Sequence, residues 1–235
     1  MEAPTLDRRL VAILAADVEG YSRLMAVDEE SALATLSGHR AIADDLIVAF
    51  RGRIANTAGD SVLSEFASVV DAVRCAIEIQ TKIAAANADL PDSRQMGFRI
   101  GINVGDVMVK NGDIFGDGVN VAARLQMLAD AGGICVSRGV RDNIRHLDGF
   151  SFDDLGEQVV KNIARPVRAF RVTIDSEAVA EAAEEIAPSW PSGMSTEPRP
   201  AEIKALDLAM WETVSDSNDV EGFYTIWSVF RTVTS

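Results

Sequence analysis

An α+β sandwich, with a mostly antiparallel sheet and helices packed on it, is the fold class this sequence predicts. Three observations point there. Short apolar runs of strand length alternate with stretches of about 20 residues whose apolar positions recur at helical spacing. The strands come in pairs, in the order β-α-ββ-α-ββ-α-β with more strand at the end. Helices therefore return between paired strands instead of following every strand, which favours a ferredoxin-like βαββαβ-type sandwich over a doubly wound parallel sheet. A composition 48% hydrophobic and 25% charged supplies the core such a fold needs.

Taken in order, "RLVAILAADV" (9–18) is an apolar run closing on Asp17 and reads as a buried strand with an acid at its tip. "EESALATLSGHRAIADDLIVAF" (29–50) carries apolar residues at helical spacing. "RIANTAGDSVLSEF" (53–66) has two strand-like arms around "AGD" and predicts a β-hairpin. "SVVDAVRCAIEIQTKIAAANA" (68–88) is an amphipathic helix with Ser68 as N-cap and Asp71 as the acid at the third position. "GFRIGINVGDVMVK" (97–110) predicts two strands around a Gly-Asp turn. A glycine- and aspartate-rich loop then runs into a helix in "GDIFGDGVNVAARL" (112–125). "GICVS" (133–137) predicts another buried strand, and "RPVRAFRV" (165–172) alternates like a last one.

The composition changes after Ile174. Residues 1–174 form the predicted main domain, 175–200 an acidic Pro/Ser-rich linker, and 201–235 a short helical extension. The net charge of −14 follows this division, with −9 on residues 175–235 and −5 on the rest. There is no broad basic stripe, so nucleic acid is not an expected partner. No apolar run reaches the roughly 20 residues of a membrane helix, and "MEAPTLDRR" has no signal-peptide core. A cytoplasmic protein without a membrane partner is expected. Cys75 and Cys135 sit in apolar runs and read as buried thiols of a reducing compartment. His39 and His146 share no metal-ligand spacing and read as surface or structural.

Two acids occupy similar places. Asp17 closes the first strand and Asp60 sits in the bend of the first hairpin. If hairpin and strand are neighbours, the carboxylates meet, and they repel unless a cation lies between them. Oxygen ligands of this kind suit Mg²⁺ or Mn²⁺, which suit phosphates; the alternative is two unrelated turn acids, with Gly59 supplying the bend. Asn120 and Arg124, four residues apart, share one helix face. A guanidinium fork matches phosphate oxygens, and an amide suits a sugar oxygen. Gly112, Gly116 and Gly118 let the backbone bend and a ligand approach. The alternative is an ordinary helix start with a solvated arginine.

Over residues 8–173 the sequence resembles the class III nucleotidyl cyclase catalytic domain, the adenylate/guanylate cyclase family of bacterial type. "AADVEGYS" (15–22) is similar to its first metal motif and "NTAGDSVLSEF" (56–66) to its second. "FRIGINVGDVMV" (98–109) is similar to its central hairpin, "GDIFGDGVNVAARL" to its base-selection and transition-state segment, and "LGEQVVKNIARPVRAFRV" (155–172) to its closing segment. The resemblance implies cyclisation of a nucleoside triphosphate, with the 3′-hydroxyl attacking the α-phosphorus and pyrophosphate leaving. It implies two Mg²⁺ or Mn²⁺ ions per site, held by Asp17, Asp60 and the Val18 carbonyl. Glu19, Gly20, Tyr21 and Ser22 would offer backbone N–H groups to the β- and γ-phosphates. Asn120 would orient the ribose, and Arg124 would stabilise charge on the α-phosphoryl group.

Asp113 matches the base-selecting position and implies ATP over GTP. Asn56 stands where the family often has a lysine against adenine N1, so it can donate a hydrogen bond without a charge. Lys161 and Arg165 both lie near the register of a basic residue that meets the triphosphate. The resemblance further implies a head-to-tail C2 homodimer with two shared sites, because this chain carries both halves of one. The expected activity is adenylate cyclase. The alternatives are a catalytically weak or inactive nucleotide-binding or dimerisation module with a regulatory role, and a guanylate cyclase.

Overall fold

A computed structural model describes residues 7–145, 150–159 and 166–174. The expectations for His146, Lys161, Arg165, the linker and the C-terminal extension lie outside the described residues. The strands are β1 (Asp7–Val18), β2 (Arg53–Ala58), β3 (Ser61–Phe66), β4 (Phe98–Lys110), β5 (Asp113–Phe115), β6 (Ile134–Ser137), β7 (Phe150–Gln158) and β8 (Val167–Ile174). The helices are α1 (Tyr21–Val27), α2 (Glu29–Ala49), α3 (Val69–Ala88), α4 (Asp117–Leu128) and α5 (Arg138–Ile144). One sheet runs β2-β3-β1-β4-β6-β8-β7, with β5 added to β4. All its described ladders are antiparallel except β4 with β6. This is the mostly antiparallel α+β sandwich that the element order predicted.

The first strand shows why the sequence folds so. Its apolar run is unbroken because both faces are covered. Ala12, Leu14, Ala16 and Val18 enter the core shared with α2, α3 and α5. Val11, Ile13 and Ala15 enter the smaller core that contains Ala122 of α4. Capping follows the sequence too. The Ser68 side chain accepts from Asp71 N–H at 3.2 Å and starts α3. Asp28 does the same for α2 through Ser31 N–H at 3.0 Å. Both cysteines are buried, and burial pushes their thiols up to about 12 for Cys75 and about 11 for Cys135. His39 is buried rather than on the surface.

Residues 97–110 differ from expectation. Gly105 and Asp106 make no turn; they pair with Val11 and Leu10 inside one 13-residue strand. The reversal comes later, at Asn111 and Gly112, which take φ of 54° and 84°. Two successive residues at positive φ suit a tight hairpin turn. The stretch expected to be loop thus contains β5, and Asp113 sits at a hairpin end instead of in free backbone.

Candidate active site

Antiparallel pairing builds the acidic end of the site. β1 lies between β3 and β4, so Asp17 stands at the strand tip beside the β2–β3 turn that holds Asp60. Val18 N–H donates to Asp60 Oδ2 at 3.2 Å, which brings the two acids to one place. Asp17 faces Arg99 across the β1–β4 ladder. Arg99 Nε donates to Asp17 Oδ1 at 3.0 Å and Nη2 to Oδ2 at 2.8 Å, a bidentate pair. Gln126 Nε2, from α4, also donates to Asp17 Oδ1. The Asp17 hydrogen bonds hold Arg99 above its ordinary range, and the charges of Asp17, Glu19 and Asp60 add to this. Three carboxylates therefore act on one cation. Glu19 N–H is already donated to Gly97 C=O at 3.0 Å. Among the described residues, the N–H groups of Gly20, Tyr21 and Ser22 at the start of α1 have no backbone partner, with Gly20 turned by φ of 68°.

The second group forms around the β4–β5 hairpin. Asn56 Nδ2 donates to Asp113 Oδ2 at 2.6 Å, and Ile114 N–H donates to Asp113 Oδ1 at 2.7 Å. Arg53 ties this hairpin down: its Nη1 donates to Gly112 C=O, and its Nε to buried Glu65 at 2.7 Å. Arg9 meets the same Glu65 oxygen at 2.6 Å.

Asn120 and Arg124 point elsewhere. Asn120 is exposed, and Arg124 is half-buried with its Nη1 against Met127 Sδ at 3.3 Å. Neither makes a described hydrogen bond to Asp17, Asp60, Asn56 or Asp113. The structure thus pairs Asp17 with Asp60 and Asn56 with Asp113, and sends Asn120 and Arg124 to an open face.

Sequence reading missed Arg99, Gln126 and Arg53. Arg99 is the one charge in the apolar run "FRIGI". Gln126 is a polar residue on a helix stripe otherwise buried as Val121, Ala122 and Leu125. Arg53 carried no usable signal, because arginine at a strand start is ordinary.

The adenylate and guanylate cyclase catalytic domain family matches residues 5–173. This chain belongs to that family. It is 47% identical over 168 residues to a putative adenylate cyclase 3 of Rhizobium meliloti, covering 71% of this chain and 29% of that protein. It is 33% identical over 140 residues to an adenylate cyclase of Streptomyces coelicolor, covering 59% and 35%. The chain therefore spans about a third of the length of these curated relatives. Among solved structures, an adenylate/guanylate cyclase/hydrolase from Silicibacter pomeroyi is 43% identical with TM-score 0.68, covering 73% of this chain and 100% of that one. An adenylyl cyclase from P. aeruginosa, 23% identical with TM-score 0.66 and covering 73% of this chain and 97% of that one, shares the fold.

Cyclase domains of this family are generally divalent-metal dependent. Among the described residues no three His, Cys, Asp or Glu side chains cluster, so a cage made wholly of side chains is not on offer. Two carboxylates and a strand-end carbonyl are a hard-oxygen set. That fits Mg²⁺ or Mn²⁺, which keep several waters and take phosphate oxygens. Arg99, paired with Asp17 at 2.8 Å, already places one positive charge at this end of the sheet. Among the described residues no helix is long and apolar enough to cross a membrane.

Proposed function

We propose that the chain is an adenylate cyclase that converts ATP to 3′,5′-cyclic AMP and pyrophosphate at a homodimer interface. One observation carries the reading: Asp17 and Asp60, from separate elements, converge at one end of the sheet, held by the Val18 N–H. Asp17, Asp60 and the Val18 carbonyl would hold two Mg²⁺ or Mn²⁺ ions. Bound there, the ions would favour the ionised ribose 3′-oxygen and carry the charge of the triphosphate. Gly20, Tyr21 and Ser22 give N–H groups to the β- and γ-phosphates. Asn120 orients the ribose through its amide. Arg124 takes up charge on the α-phosphoryl oxygens as the 3′-oxygen bonds to phosphorus, the 3′ proton leaves and pyrophosphate departs.

The Asn56–Asp113 pair sets a donor beside an acceptor, as adenine N1 and N6 require. The same pair meets guanine O6 and N1–H, so guanylate chemistry is the second reading. The relatives named as adenylate cyclases favour ATP. Asn120 and Arg124 lie on an open face, which supports completion of each site by a second copy in head-to-tail C2 symmetry.

Half-site complementation tests this. Asp60→Ala and Arg124→Ala proteins are each expected to make little cyclic AMP. After subunit exchange at equal amounts, about half the dimers are mixed and each has one intact site, so about a quarter of wild-type activity returns. A mixture no better than its two components contradicts the shared site.

A further inference from the structure

Gln126 is 7% exposed, on the buried stripe of α4. Its amide donates to the Asp17 oxygen that already accepts from Arg99 Nε. A carboxylate oxygen has two in-plane lone pairs, so Oδ1 is filled. Among the described residues Oδ2 takes only Arg99 Nη2, at 2.8 Å, which leaves one of its directions open to a cation. The three donors stop the carboxylate rotating and decide which oxygen it presents.

The reach of Gln126 has a backbone cause. A Cβ at Gly101 would lie 2.1 Å from Gln126 N and 2.3 Å from Ala122 O. Glycine at this β4 position lets the α4 backbone rest on the strand. Asn103 Nδ2 holds the start of the helix through Gly118 C=O at 3.1 Å. At about 100° per residue, Gln126 lies roughly 160° around the axis from Arg124 and 120° from Asn120. One side of α4 thus grips Asp17 of its own chain while another carries Asn120 and Arg124 outward.

We infer that Gln126 is a positioning residue: it fixes which oxygen of Asp17 is offered to a divalent cation, and it locks that acid to the helix carrying Asn120 and Arg124. The metal role of Asp17 rests on the cyclase reading above. Hydrogen-bond partners of metal-binding carboxylates commonly carry about 10- to 100-fold of metal affinity or activity.

The test uses the full chain as wild type, Gln126→Met, Gln126→Leu and Asp17→Asn. An apolar side chain of similar volume folds readily in place of the buried amide, because Asp17 keeps Arg99 as partner. Mn²⁺ is titrated at fixed 3′-deoxy-ATP, which lacks the attacking hydroxyl, and the broadened electron-spin signal of the protein-bound ion is read. Both Gln126 variants are expected to weaken Mn²⁺ binding about tenfold or more. In turnover, kcat falls at unchanged KM for ATP, and the melting temperature stays near wild type. Wild-type Mn²⁺ affinity in the folded variants overturns the inference and leaves the cyclase reading intact as long as cyclic product forms. Equal Mn²⁺ binding by wild type and Asp17→Asn overturns the metal role of Asp17 and this inference with it.

Discussion

Gly101→Ala is the most telling single change in the scaffold. The new methyl group would meet Gln126 N at 2.1 Å, Ala122 O at 2.3 Å and Gln126 Cα at 2.7 Å. All three are backbone atoms of α4, so no side chain can rotate away. Either α4 lifts off β4 or the strand bends. Overpacking of this kind costs about 1–3 kcal/mol, and more where backbone is struck, so about 3 kcal/mol or more is expected here. For a domain of this size 1 kcal/mol moves Tm by about 2–4 °C, which gives a fall of about 6–12 °C. Gly59→Ala is the control. Gly59 has φ of 60° but nothing within 4 Å of its Cβ position, so it carries only backbone strain of about 1–2 kcal/mol. Thermal unfolding followed by circular dichroism reads both. The folded fraction of Gly101→Ala should also lose cyclase activity, because Gln126, Asn120 and Arg124 ride on the displaced helix. A Tm within 2 °C of wild type, or a smaller fall than for Gly59→Ala, refutes the close packing of α4 on β4.

Three further outcomes are expected. Arg124→Ala lowers kcat about 10²-fold or more with Tm within about 2 °C, since its one described hydrogen bond is to Met127 Sδ; steady-state kinetics with a melting curve checks this. Asn56→Lys places a charged donor beside Asp113, worth about 1 kcal/mol over a neutral one, or about fivefold in KM for ATP; steady-state kinetics with an unchanged KM contradicts the assigned base contact. His39 is 3% exposed, and burial holds its imidazole below the ordinary 6.5. The unfolded chain therefore takes up a proton first as pH falls, so this part of the stability is complete above about 6.5 and is lost as pH drops below it. Urea midpoints between pH 8 and 5 should fall less steeply in His39→Gln than in wild type, and equal slopes speak against it.

The features legible in the sequence were the local ones. The Ser68 cap, the Gly59–Asp60 hairpin and the two-faced apolar run of β1 each depend on residues near in the chain. Gly105-Asp106 misled because the pair has turn chemistry, and only pairing with Val11 and Leu10 keeps it extended. The true turn at Asn111-Gly112 carried the strongest short hairpin signal but was split between the strand pair read over 97–110 and the loop read from 112. In the site, Asp17, Asp60, Asn56, Asp113, Asn120 and Arg124 stood out because the family frame marks them. Arg99 and Gln126 reach Asp17 across 82 and 109 residues of chain. No local pattern shows such a contact; only the β1–β4 register and the descent of α4 onto Gly101 bring them there.

The most direct measurement is product analysis. Purified protein is incubated with ATP, and separately GTP, in Mn²⁺ and then Mg²⁺, with Asp60→Ala alongside, and nucleotides are separated by chromatography. Cyclic AMP from ATP with wild type and none with Asp60→Ala is the predicted result. A folded, dimeric wild type that yields no cyclic nucleotide under any of these conditions, or an Asp60→Ala protein that yields as much as wild type, contradicts the account.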